Sequence, residues 1–277
     1  MMFCGSSSAA LSHQRRLHRC SNKVRHCDMS AIALTIDGLG VDFGGFRAVN
    51  NVSITVRDGE LRVLLGANGA GKTTLMDLIS GKTRSTQGKV FVYDTDITNW
   101  PEHRIARAGI GRKFQIPSVF RDLTVRQNLE VANCRNPSVF ANLRFGFSRA
   151  ETNRVDEALA LTGLEAEADL TAAYLSHGQT QWLELGMLIV QDPKVILLDE
   201  PTAGMTQAET RKTAKIIKNL KGRHTIIVVE HDMGFVREIA ERITVLHLGE
   251  VLAEGSVGDI EHNPKVREAY LGSKGIS

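Results

Sequence analysis

The stretch "GANGAGKTT", Gly66 to Thr74, stands directly after the apolar run "LRVLL" and before the helical "LMDLIS". Its spacing is G-x-x-x-x-G-K-[ST], and the chemistry of that spacing is the grip of a polyphosphate. Gly66, Gly69 and Gly71 free the backbone, so that N–H groups along Ala67, Asn68 and Ala70 can converge on phosphate oxygens. The helix that follows turns its positive end toward the same anion. Lys72 neutralises β/γ-phosphate charge, Thr73 offers a hydroxyl to Mg²⁺, and Thr74 completes the loop. A chance glycine-rich turn does not combine strand, loop, lysine and helix in this order.

A bound nucleotide needs a metal ligand and an activated water. "VILLDE" supplies Asp199 for the metal shell and Glu200 beside it as general base. His231 closes another apolar run, "TIIVVEH", where it is either a surface group or part of the same site. "LSHGQ", residues 175–179, admits two readings: a Ser–His nucleophile pair, or a helix start that binds an anion. The hydrolase reading is disfavoured, since Ser176 and His177 are sequence neighbours and no orienting acid follows.

These groups must be held by an α/β framework. From Ala31 the pattern is strand-like, in "IALTI", "AVNNVSITV", "ELRVLLG" and "GKVFVYDTDI". After Pro117 the spacing turns helical, in "TVRQNLEVA" and "RAETNRVDEALALTG". "KVILLDE" and "HTIIVVEH" are continuous apolar runs suited to buried parallel strands, with the helical "AETRKTAKIIKNL" between them. "RITVLHLGEVLAEGS" reads as a hairpin turned at Gly249. The organisation is an α/β core interrupted by a mostly helical insert at about residues 116–178.

Residues 1–29 hold five basic side chains against Asp28 alone, a balance of +4 within a total of +3. The body is therefore near −1 and lacks the basic footprint of a nucleic-acid binder. Three of the four cysteines, Cys4, Cys20 and Cys27, lie in that leader, and Cys134 stands alone in the body, which fits a reducing compartment. The leader is read as translation ahead of a start at Met29, with a disordered tail and a targeting segment as alternatives, and the folded unit runs over residues 30–273. No apolar run is long enough to span a membrane, so work at a membrane requires a partner.

In order and spacing, "GANGAGKTT", "LSHGQ", "VILLDE" and His231 resemble the ATPase subunits of ABC transporters, over about residues 33–272. The resemblance implies a P-loop NTPase core with an antiparallel β subdomain and an inserted α-helical subdomain. It implies ATP and Mg²⁺ as cofactors. Gln115, in "GRKFQIP", would reach Mg²⁺ and the attacking water, and Phe43 would stack on adenine, with Phe46 the lesser candidate. His231 would hold the γ-phosphate. Ser176, Gly178 and Gln179 would face the ATP of an opposite subunit, which resolves "LSHGQ" as an anion site. Two positions depart from the commoner pattern: His177 replaces Gly, and Thr206 stands where many relatives have an acid.

"GRKFQ", "LSHGQTQWLE", "EPTAGMT" and "VVEHDMG" look like the branched-chain amino-acid type of importer, and within it most like urea importers. The expected function is therefore ATP hydrolysis driving uptake of a small polar solute, urea first and a branched-chain amino acid as the alternative. The implied partners are membrane permease subunits, a second ATPase or second copy of this chain, and indirectly a periplasmic binding protein. The implied location is the cytoplasmic face of the inner membrane. A soluble ATPase acting on ribosomes or DNA is disfavoured: one cassette is present, with only about sixty residues between Gln115 and Ser176. A catalytically dead cassette is disfavoured by the presence of Lys72, Asp199, Glu200 and His231.

Overall fold

Alternation of apolar and polar residues builds the first sheet. In the computed structural model, which describes residues 31–113, 119–134 and 149–271, β1 (Ile32–Phe43) and β2 (Phe46–Arg57) pair antiparallel. Along β2, Val52, Ile54 and Val56 are buried while Ser53, Thr55 and Arg57 face water, the period of two that a half-buried strand requires. β4 (Gln87–Val92) and β5 (Thr95–Asp96) complete this sheet in the order β2-β1-β4-β5. The sequence "GKVFVYDTDI" thus forms a short hairpin rather than one strand.

The second sheet carries the site. β3 (Leu61–Leu65), β6 (Ile110–Lys113), β7 (Val195–Asp199), β8 (Thr225–Val229), β9 (Arg242–His247) and β10 (Glu250–Gly255) lie in the order β10-β9-β3-β8-β7-β6. All neighbours are parallel except β9 and β10, which form the hairpin turned through Leu248 and Gly249. β3, β7 and β8 are buried at every position, as parallel strands covered on both faces must be.

Alternate residues of these strands feed two cores. Leu64, Val195, Leu197, Ile227 and Val229 pack with α1 (Lys72–Ser80) and the antiparallel sheet. Leu61, Val63, Leu65, Ile196, Leu198, Ile226 and Val228 pack on the other face. That face receives α3 (Val125–Asn133), α4 (Arg149–Thr162), α5 (His177–Ile189), α6 (Gln207–Leu220) and α7 (Met233–Ile239). The short helices α2 (Glu102–Ala108), α8 (Val257–His262) and α9 (Pro264–Leu271) complete the described residues. Between β6 and β7 these residues are helical or loop, in the place of the expected insert. The chain divides between Ser30 and Ala31, and the leader lies outside the described residues.

Register decides where the chemistry falls. Leu64 of β3 sits beside Val229 of β8, which sits beside Asp199 of β7. Three parallel strands therefore end together, and the loops leaving them share one edge of the sheet, the usual binding edge of an open α/β fold.

Candidate active site

The loop after β3 turns into α1 at Gly71, whose φ of +98° only glycine adopts without strain. A Cβ at Gly71 would also lie 2.5 Å from the Ala48 carbonyl, so space and dihedral exclude the same substitutions. Ala67, Asn68 and Gly69 are exposed at the loop crest, and Thr73 is exposed on the first turn of α1. Lys72 is buried and folds back to donate to the carbonyls of Gly66 at 2.7 Å and Ala67 at 3.0 Å. Burial draws its ammonium below the usual lysine range, opposed by the carboxylates of Glu200 and Asp199. Lys72 thus lies within electrostatic reach of both carboxylates.

Asp199 ends β7 almost fully buried. Arg112 of β6 donates to its Oδ2 at 3.4 Å, while Oδ1 has no hydrogen-bond partner among the described residues. Burial pushes the carboxyl pKa up, against the pull of Arg112. An orphaned carboxylate oxygen at the end of a buried strand, with the exposed Thr73 hydroxyl on the neighbouring helix, suits a hard divalent cation. The donor set fits Mg²⁺.

Glu200 follows with φ +47°, left-handed backbone that costs a non-glycine residue about 1–2 kcal/mol. That conformation turns the side chain out of the strand line, leaving it partly exposed. His231, at the end of β8, brings Nδ1 to 3.5 Å from Glu200 Oε1 and is itself well exposed. His231 is thus a surface group that also stands beside the expected base.

Glu230 went unread in the sequence. It is buried, and its Oε1 accepts from the hydroxyl of Thr202 at 2.6 Å and from the Thr202 N–H at 3.3 Å. Its Oε2 accepts from the His231 N–H at 3.2 Å. One carboxylate thus clamps the loop after Glu200 to the loop carrying His231. Arg112, which the motifs leave without a role, also reaches Asp77 at 2.6 Å and Ser80 at 2.8 Å, bracing α1 against β6. The signal in the sequence was two adjacent charged residues, Arg112 and Lys113, in a four-residue strand.

The "LSHGQ" signature, residues 175–179, opens α5. Ser176 is its N-cap, accepting from the Gln179 N–H, while the Gln179 side chain accepts from the Ser176 N–H. Gln179 Nε2 donates to Glu167 at 3.0 Å, so its side chain is engaged within the chain. The N–H groups of His177 and Gly178, on the first turn, have no partner within the helix. Among the described residues no hydrogen bond or ion pair joins Ser176–Gln179 to the 66–74 loop. Thr206 caps α6 in the same manner, with Glu209 as its reciprocal partner. Phe43 and Phe46 are paired across the Gly44–Gly45 turn that joins β1 to β2, 53% and 67% exposed. A core role for Phe43 is thereby excluded. Gln115 lies outside the described residues.

Residues 49–203 match the family model of the ABC transporter, and residues 250–275 match that of the branched-chain amino acid ATP-binding cassette transporter. The chain is 38% identical over 253 residues to the high-affinity branched-chain amino acid transport ATP-binding protein LivG of Salmonella typhimurium, covering 88% of this chain and 99% of that one. It is 36% identical over 253 residues to BraF, described in the same words, of Pseudomonas aeruginosa, with the same coverage. A crystal structure of the ADP conformation of an ATP-binding cassette of an ABC transporter superposes with TM-score 0.77 at 29% identity, over 87% of this chain and 99% of that one. A dimeric cassette in a post-hydrolysis state, bound to ADP and Pi, superposes with TM-score 0.68 at 26% identity, over 81% and 98% of the two chains. These relatives name branched-chain amino acids and not urea, so the amino-acid alternative has better support than the urea expectation. The chain belongs to the ABC transporter family and is an ATP-hydrolysing cassette of its branched-chain amino-acid importer type.

Proposed function

We propose that this cassette powers import of a branched-chain amino acid, working with membrane permease subunits at the cytoplasmic face of the inner membrane. Residues 30–273 are the working unit in this reading, and a periplasmic binding protein delivers the solute. No helix among the described residues is long and apolar enough to cross a membrane, which is consistent with a peripheral motor subunit. ATP sits on the Gly66–Thr74 loop with Lys72 against its β/γ-phosphates and Phe43 against adenine. Thr73, Asp199 and Gln115 would hold Mg²⁺, whose chemistry there is to offset phosphate charge and help place the nucleotide. Glu200 accepts the proton of the attacking water, and His231 orients the γ-phosphate. Ser176, Gly178 and Gln179 of a second ATPase subunit, identical or not, close the site.

The observation that carries this reading is the shared edge: Lys72, the orphaned Asp199 Oδ1 and the Glu200–His231 pair lie at the ends of adjacent strands. The relatives' names support the solute. Urea remains a second reading, resting on the resemblance of "GRKFQ" and "LSHGQTQWLE" to urea importers. Disrupting the gene in its host and measuring labelled leucine and urea uptake at micromolar supply tests both. Loss of leucine uptake alone supports the first reading, and loss of urea uptake alone replaces it with the second.

A further inference from the structure

The signature helix and the loop behind the catalytic base touch within one subunit. His177 stands where the commoner signature has Gly, and its Nε2 lies 3.0 Å from the Ala203 carbonyl. A carbonyl only accepts, so the ring carries a proton on Nε2. The ring also lies over Gly204: a Cβ there would come within 3.2 Å of Nε2, at a φ of +73°. One residue on, a side chain at Gly178 would run into the Glu209 carboxylate. Residues 176–178 and 203–209 thus meet at three places.

The contact continues toward the base. Ala203 N–H donates to the Glu200 carbonyl at 3.1 Å, and Thr202 is held by Glu230, which also holds the backbone of His231. We infer that His177 is a positioning residue that ties the signature helix to the loop behind Glu200. This rests on the two-subunit reading above, in which the signature serves the nucleotide of the opposite subunit while Glu200 serves its own. Closure of one site then bears, through His177 and Ala203, on the placement of the base in the other.

The test is steady-state ATP hydrolysis by the full-length chain, with its partner ATPase subunit where the two co-purify. Wild type, His177→Ala and His177→Gln are compared over a series of ATP concentrations, and ATP binding to the isolated chain is measured in parallel. His177 is exposed, so its truncation leaves the core intact. His177→Ala is expected to lower kcat about 2- to 10-fold, the value of one hydrogen bond, and to move the Hill coefficient toward one. ATP affinity of the isolated chain stays unchanged, and His177→Gln, whose amide can donate to the same carbonyl, restores part of both losses. Wild-type kcat and cooperativity in His177→Ala overturns the inference, as does a wild-type Hill coefficient of one. A fall in affinity without rescue by Gln also overturns it, since His177 would then contact nucleotide directly. A wild-type chain that does not hydrolyse ATP defeats the two-subunit reading itself.

Discussion

Lys113 Nζ lies 3.4 Å from Glu184 Oε2, with both side chains more than nine-tenths buried. The pair pins β6 to α5, and so ties the strand leading to Gln115 to the signature helix. Burial draws the Lys113 ammonium below the usual lysine range, against the pull of Glu184 and Asp199. Removing one partner leaves a buried charge uncompensated, so Glu184→Leu is expected to cost about 3–5 kcal/mol. The double variant Lys113→Met/Glu184→Leu is expected to recover most of that loss. Urea denaturation midpoints of the two singles and the double form the cycle; strictly additive losses would show that the pair is not coupled.

Replacing Glu200 by Gln keeps shape and hydrogen bonding but removes the base. Turnover is expected to fall about 10²- to 10⁴-fold, the usual value of a general base, with ATP still bound. Trapped nucleotide should then hold two subunits together in size-exclusion chromatography with ATP and Mg²⁺. Lys72→Ala should lose nucleotide and dimer together. Wild-type turnover in Glu200→Gln would remove Glu200 from the mechanism.

Asp199 is expected to weaken the nucleotide-free fold as pH rises. Its carboxyl pKa is raised from the ordinary 3.8 by burial. Between 3.8 and the raised value the folded chain holds a proton that the unfolded chain has lost. This group's contribution to stability therefore falls as pH rises through that window. Asp199→Asn should melt at or above the wild-type temperature at neutral pH, the gap narrowing as pH falls toward 3.8. Thermal melts across that range, without nucleotide, decide it. A variant melting several degrees below wild type at neutral pH would contradict the sign.

Phe43 and Phe46 separate binding from folding. Both rings are largely in solvent, so neither truncation should lower the melting temperature much. Phe43→Ala is expected to weaken ATP binding by about 1–3 kcal/mol, the value of one base–aromatic stack. Phe46→Ala should change it far less. Equal effects in a fluorescence titration would reassign the stacking ring.

The chemistry was more legible than its supports. Gly66–Thr74 could be read because the required dihedrals, charge and hydroxyl fall within nine consecutive positions. β3, β7 and β8 could be read because strands covered on both faces leave continuous apolar runs. Arg112 and Glu230 could not, since their partners are set by strand register and lie 87 residues away for Asp199 and 28 for Thr202. His177 and Thr206 were visible only as departures. For His177 the meaning, a bond to Ala203, appears once residues 26 apart are brought into contact, whereas the Thr206 cap is local, closed by Glu209 three positions on. The solute stayed beyond reach, since no residue of the nucleotide site touches it in this reading.

The order of the central sheet also sets a timetable for synthesis. β3, which launches the phosphate loop, is flanked by β8 and β9, both made near the end of the chain. A ribosome adding about 5–20 residues per second takes roughly 9–35 s to pass from Lys72 to His247. Until β8 is complete at Val229, β3 has neither neighbour, and its apolar residues have no sheet to join. A nascent chain displays the loop's sequence long before it can hold the loop's shape. Nucleotide therefore has nothing to grip until almost the whole cassette has been translated.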